Sequence, residues 1–239
     1  MLAAYGAGGI IKGGLGFGLP LVTLSITPLF VALDLAIVAN AVVLPLINIV
    51  QIKQAGGLVP AFRRFLPLIL PLALCLPLGV WLGTRISAPA LTLALGIVIM
   101  VSTLIQVANP RLVLPRHLER PGAVVTGLAA GTIGGLTTVN GPLFVLYLVS
   151  LGIERRVMMA ALGIFFFLTG AILGLSFAAV GVMDAPRFLW GLLCVLPAFA
   201  GMWVGNMIAS RLPQAAFRRA VLGALFVLGA NIASRGLAG

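Results

Sequence analysis

The sequence predicts an all-α integral membrane protein made of two inverted repeats, each a re-entrant Gly-rich helical hairpin followed by three transmembrane helices. Three observations lead there. The 239 residues are 62% hydrophobic and only 8% charged, with a mean hydropathy of +1.23, more apolar than a water-soluble core requires. The second half of the chain repeats the Gly, Pro and Trp pattern of the first. The basic residues gather on one side of the membrane only if the first segment of each half turns back on itself. Strand-like alternation is absent, which argues against an outer-membrane barrel.

Eight apolar segments follow in order, at 6–33, 35–52, 64–86, 90–108, 122–150, 157–180, 188–210 and 214–234. The polar stretch 109–121 divides them into an N-terminal repeat, 1–108, and a C-terminal repeat, 122–239. Gly13-Gly14-Leu15 matches Gly134-Gly135-Leu136, and Pro20 matches Pro142. Arg64-Phe65-Leu66 matches Arg187-Phe188-Leu189, and the Gly-x-Trp-x-Gly run 79–83 matches 201–205. Offsets of 121 to 123 residues make this an internal duplication. Gly/Pro-interrupted segments at corresponding places in two halves are the sequence pointer to a transporter's binding site.

If every segment crossed once, eight basic residues would face six. With 6–33 and 122–150 as hairpins, one side holds Lys53, Arg63, Arg64, Arg111, Arg116, Arg120, Arg155, Arg156, Arg211, Arg218 and Arg219. The other keeps Arg85, Arg187 and Arg235. Eleven against three is the asymmetry of a cytoplasmic face. Length agrees, because a hairpin arm of about 13 residues reaches about 20 Å, short of a hydrocarbon core about 30 Å thick. Both termini then lie outside the cytoplasm, and the tips 13–20 and 134–142 meet near the bilayer centre.

The net charge of +11 therefore reads as topology signals and phospholipid contacts rather than a nucleic-acid surface. No basic leader or cleavage site precedes the first apolar segment, so no signal peptide is expected. Cys75 and Cys194 fall inside apolar runs and read as small buried hydrophobes. With one histidine, His117, no metal site, cofactor or nucleophile–base pair is expected, and an enzyme is not. Trp81 and Trp203 read as packing residues, Asp34 and Asp184 as solvated outer ends.

The candidate site is an anion site. Lys12 is the one cation well inside an apolar segment, where a charge must face protein or water. Beside it Gly13, Gly14, Gly16, Phe17 and Gly18 break the helix, so that backbone N–H groups can point into a cavity. From the second tip, Gly135, Thr137, Thr138, Asn140 and Gly141 add hydroxyl and amide groups. Asn40 and Asn48, two turns apart on one face, with Gln51 close by, line the path or join helices. Glycines that only allow close helix packing, and a Lys12 that snorkels outward, are the competing readings.

With its two Gly-rich segments, central polar loop and G-x-W-x-G closing each third segment, the chain resembles the sulfite exporter TauE/SafE family, also described as the toluene sulfonate uptake permeases. That family carries runs of consecutive glycines where this chain has Gly16-Phe17-Gly18-Leu19-Pro20 and Thr137-Thr138-Val139-Asn140-Gly141. The resemblance implies a multi-pass protein of the bacterial inner membrane that moves a small anion such as sulfite or an organosulfonate, with a proton or ion gradient as the default coupling. An anion channel or a membrane assembly partner is the alternative. Import or export, the coupling ion and the oligomeric state stay open.

Overall fold

The computed structural model describes residues 1–55, 62–108, 113–209, 223, 226–227, 229–234 and 236–237. Among these there is helix and no strand. The α-helices are α1 (Leu2–Leu15), α2 (Leu19–Ile26), α3 (Leu33–Ala55), α4 (Leu66–Gly83), α5 (Ala88–Ala108), α6 (Glu119–Thr137), α7 (Gly141–Ser150), α8 (Arg155–Ala179) and α9 (Ala185–Ala209), with 3-10 turns at Thr27–Leu29 and Arg116–Leu118. Four of them, α3, α4, α8 and most of α9, are long and apolar enough to cross a membrane. The apolar stretch of α5 is shorter, at Pro89–Ile105, and the expected last segment, 214–234, lies mostly outside the described residues.

Each segment expected to form a hairpin is divided into two helices, with breaks at Gly16–Gly18 and at Thr138–Asn140. Gly16 (φ 82°) and Gly18 (φ 100°) both sit in the left-handed region, where other L-residues pay about 1–2 kcal/mol. Two such residues within three reverse the chain and lay α2 along α1, with Leu19 and Thr23 against Gly8. The central loop is shorter than the expected 109–121, because helix begins at Arg116. Pro121 masks that start in the sequence, yet a proline in the first turn lacks only an N–H that would be unpaired anyway.

The two halves interlock through glycines. Any Cβ on Gly9 or Gly13 of α1 would collide with the Ala198 or Met202 carbonyl of α9, and one on Gly205 with that of Ile10. In the other pair, Gly127, Gly131 and Gly135 of α6 press against the Leu68, Leu72 and Leu76 carbonyls of α4. Both pairs run parallel, and in both the first helix of one half lies on the second long helix of the other. Between them α3 and α8 run antiparallel, Gly163 facing Ile52 and Gly170 facing Pro45. Lipid supplies no hydrophobic force between apolar helices, so backbone-to-backbone contact of this kind carries the association.

Two expectations are corrected. Trp81 and Trp203 do not pack inside: they are 48% and 67% exposed. The glycines of G-x-W-x-G are four apart and share one face, which leaves the tryptophan between them on the opposite face. Asp34 and Asp184 are not merely solvated, because Arg187 bridges them with Nη2 2.7 Å from Asp34 Oδ2 and Nη1 2.9 Å from Asp184 Oδ2.

Gly205→Ala is expected to destabilise the purified protein by about 1–3 kcal/mol, the usual cost of overpacking. Gly174→Ala, whose Cβ would come no nearer than 3.9 Å to Met183, is expected to be neutral or to stabilise by up to about 1 kcal/mol through helix propensity. Thermal unfolding of the two variants in one detergent checks the pair.

Candidate functional site

Helix α1 ends where its C-terminal turn meets a lysine. The Gly16 N–H closes the helix on the Lys12 carbonyl at 2.6 Å. Lys12 itself is only 2% exposed, so its side chain does not snorkel to a surface. Its ammonium donates to Gln51 Oε1 at 2.7 Å, Asn48 Oδ1 at 2.8 Å and Gly16 O at 3.4 Å. Three donors therefore meet three acceptors. The face of Phe166 lies 5.2 Å from Nζ, and the negative end of the α1 dipole lies alongside.

Both amides are held with their oxygens toward the lysine. Asn48 Nδ2 donates to Leu44 O at 2.7 Å, and Gln51 Nε2 donates to Met159 O at 3.0 Å. The cluster thus joins α1, α3 and α8. None of its acceptors is charged. The chain's four carboxylates are elsewhere: Asp34 and Asp184 hold Arg187, Glu119 holds Arg64 at 2.8 Å, and Glu154 is exposed at the start of α8.

A cavity of about 430 Å³ adjoins this ammonium, lined by Lys12, Gly13, Gly16, Gln51, Gln54, Ala55, Arg155, Arg156, Met159, Met202 and Asn206. No carboxylate lines it. Arg156 Nε donates to Ala55 O at 2.8 Å, so the arginine pair sits where α3 ends and α8 begins. Gln51 is four residues from the end of α3 and Met159 four from the start of α8, so the cluster lies about 6 Å below those ends. That is nearer one face than the expected middle of the bundle.

The expected site residues divide into two groups. Lys12, Gly13 and Gly16 line the cavity, and Asn48 grips Lys12. Asn40 faces the same hairpin a little further on, where its Oδ1 accepts from Thr23 Oγ1 at 2.9 Å. Gly14 and Gly18 are buried in the hairpin, and Gly135 is taken up by packing on α4. Phe17 lies across Gly141 together with Phe166, so the two tips touch, but through aromatic rings. Around the second tip, Thr137 Oγ1 donates to Ile133 O at 2.8 Å and Asn140 Nδ2 donates to Thr169 Oγ1 at 3.1 Å. The Thr138 hydroxyl and Asn140 Oδ1 are buried with no hydrogen-bond partner among the described residues, and Thr138 holds a φ of 57°, strained for a β-branched residue. None of these second-tip residues lines the cavity.

Sequence reasoning passed over Gln54, Met159, Asn206 and the cavity role of Arg155 and Arg156. Gln51 was signalled by its spacing of three from Asn48, which puts both on one helical face. The arginine pair gave only a topology signal, because the contact of α8 with α3 is not local in sequence.

A double-mutant cycle tests the cluster. Gln51→Leu leaves a buried cation short of one acceptor and is expected to cost about 1.5–3 kcal/mol. In a Lys12→Met background the same change is expected to cost little, a coupling visible in thermal or denaturant unfolding.

Against this geometry stand the comparisons with known proteins. The family model described as Sulfite exporter TauE/SafE matches residues 1–232 of the chain. No curated protein and no solved structure matches it. A family match running over nearly the whole chain, across both Gly-rich hairpin segments and the helices that follow them, places it: the protein belongs to the sulfite exporter TauE/SafE family.

Proposed function

We propose that the chain is a secondary transporter that moves a small anion, sulfite or an organosulfonate, across the bacterial inner membrane, using the cavity at Lys12 as its binding site. One observation carries the reading. A buried ammonium held only by neutral oxygens faces a cavity with two arginines and no carboxylate in its walls. At an effective dielectric of about 20, a unit anion about 4 Å from such a charge gains about 4 kcal/mol. Arg155 and Arg156, in the same walls, draw the anion toward the mouth. A cation would meet repulsion along the whole path.

The transmembrane arrangement proposed is the inverted one, six crossings and two re-entrant hairpins with both termini outside the cytoplasm. Two contacts support it. Arg187 pairs with Asp34 and Arg156 with Ala55, yet a single crossing by every segment would put the members of each pair on opposite faces. In this arrangement the Lys12 cavity opens to the cytoplasm, and Phe17 and Phe166 close it toward the second tip. The Thr138 and Asn140 oxygens at that tip, buried without a partner among the described residues, are open to a coupling proton or ion. Thr137, Thr138 and Asn140 join the anion's path when those rings part.

Sulfite and sulfoacetate are expected to raise the unfolding temperature of the purified protein in proportion to occupancy, whereas organic cations of similar size are not. Lys12→Ala is expected to weaken anion affinity roughly ten- to hundredfold, the equivalent of about 1.5–3 kcal/mol. Unchanged affinity in that variant, or binding indifferent to ligand charge, rejects the site. For the topology, single cysteines near Asp34 and near Glu154 are expected to label from opposite faces of the membrane. Labelling from one face rejects the inverted arrangement.

A further inference from the structure

A second cavity, of about 670 Å³, lies where α4 and α6 begin and near the end of α7. Ser150 closes α7 and Arg155 opens α8 a few residues later, so this is the same end of the bundle that carries the mouth of the Lys12 cavity. Its walls include Arg63, Arg64, Arg116, Arg120 and His117, with Glu119 as the single carboxylate. Glu119 is already used, its Oε1 accepting from Arg64 Nε at 2.8 Å. Among the described residues, Arg63, Arg116 and Arg120 have no ion pair and no hydrogen bond. Three uncompensated guanidiniums around one void repel each other, and an anion placed among them relieves that repulsion.

The surroundings indicate what bears the anion. On α4, Leu66 and Pro67 wall the cavity, and the same helical face continues into Leu70 and Leu74, which are 60% and 77% exposed. On α6, Arg120 is followed at helical spacing by the exposed Val124 and Leu128. Two apolar stripes therefore leave the basic cavity and run along the bundle's outer face. Tyr147, buried and with its hydroxyl donating to Glu119 O at 3.0 Å, forms the inner wall of the cavity. A soluble anion would use the arginines and leave the stripes unexplained. A phospholipid uses both, and a guanidinium fork fits phosphate oxygens in pairs.

We propose that this cavity binds the phosphodiester headgroup of an anionic phospholipid, whose acyl chains lie along the exposed faces of α4 and α6. None of its residues lines the Lys12 cavity, so the inference stands apart from the transport reading. The test is native mass spectrometry of the full-length protein offered equal amounts of phosphatidylglycerol and phosphatidylcholine. Wild type is expected to retain phosphatidylglycerol preferentially. The Arg116→Ala, Arg120→Ala pair is expected to lower that preference about thirtyfold, about fivefold for each arginine. Arg155→Ala, Arg156→Ala, at the same end but outside the cavity, is expected to leave it unaltered. The Arg116→Lys, Arg120→Lys pair preserves the positive charge that orients the chain and removes only the planar fork. A reduced preference in this pair supports the site and an unreduced one overturns it. Equal retention of the two lipids by wild type also overturns it. Loss of the preference in millimolar inorganic phosphate assigns the cavity to a free anion and rejects the lipid.

Discussion

The ammonium of Lys12 is the group around which the site is built. A charge out of water is costly unless its protons are all taken, and here the acceptors come from three directions. Gly16 O belongs to the turn that ends α1, Asn48 and Gln51 to α3, and Gln51 is in turn held by α8 through Met159 O. Moving any one of these elements leaves the cation short. The hairpin, α3 and α8 are therefore coupled by one side chain, although the contacts between their apolar surfaces are interchangeable with contacts to lipid. Because the acceptors are neutral, the cluster satisfies the lysine's hydrogen bonds without cancelling its charge. A cation whose bonds are filled but whose field is not compensated is stable in the empty protein and still attractive to an anion.

Glycine gives the rest of the bundle its order. Helix α1, at 14 residues, is too short to have its place set by spanning the bilayer, and both α1 and α6 are seated along a long helix of the other half. Gly9 and Gly13 bring α1 into backbone contact with α9, and Gly127, Gly131 and Gly135 do the same for α6 on α4. Each half thus depends on the other for the seating of its first helix. The same glycines position Lys12, since Gly13 lies against the α9 backbone next to it. Packing and site are in this way two consequences of one missing side chain.

The two tips differ chemically although the halves share a pattern. The first carries the lysine, its amide partners and the cavity. The second is neutral, with a strained Thr138 and buried oxygens that have no donor among the described residues. Between them lie the rings of Phe17 and Phe166. In the proposed cycle, the charged tip holds the anion and the neutral tip receives it once the rings separate, so the difference between the halves sets where the substrate rests.

Much of this was legible in the chain. Composition alone required apolar helices, because 62% hydrophobic residues with 8% charge cannot be covered by a water-exposed surface. The glycines of 13–18 and 134–141 marked both helix breaks, since their effect is local backbone geometry. Lys12 was identifiable because a lone charge in an apolar segment has few physical explanations. What the chain could not reveal is who meets whom. That Gln51 rather than Asn40 grips the lysine, that Arg187 bridges two aspartates, and that both tryptophans face outward depend on how α3, α8 and α9 cross. Those crossings are decided by backbone contacts at glycines far apart in sequence, and a glycine carries no mark of its partner. Only the tertiary structure decides them, because close approach depends on the shapes of two helices together, and a local pattern describes one helix at a time.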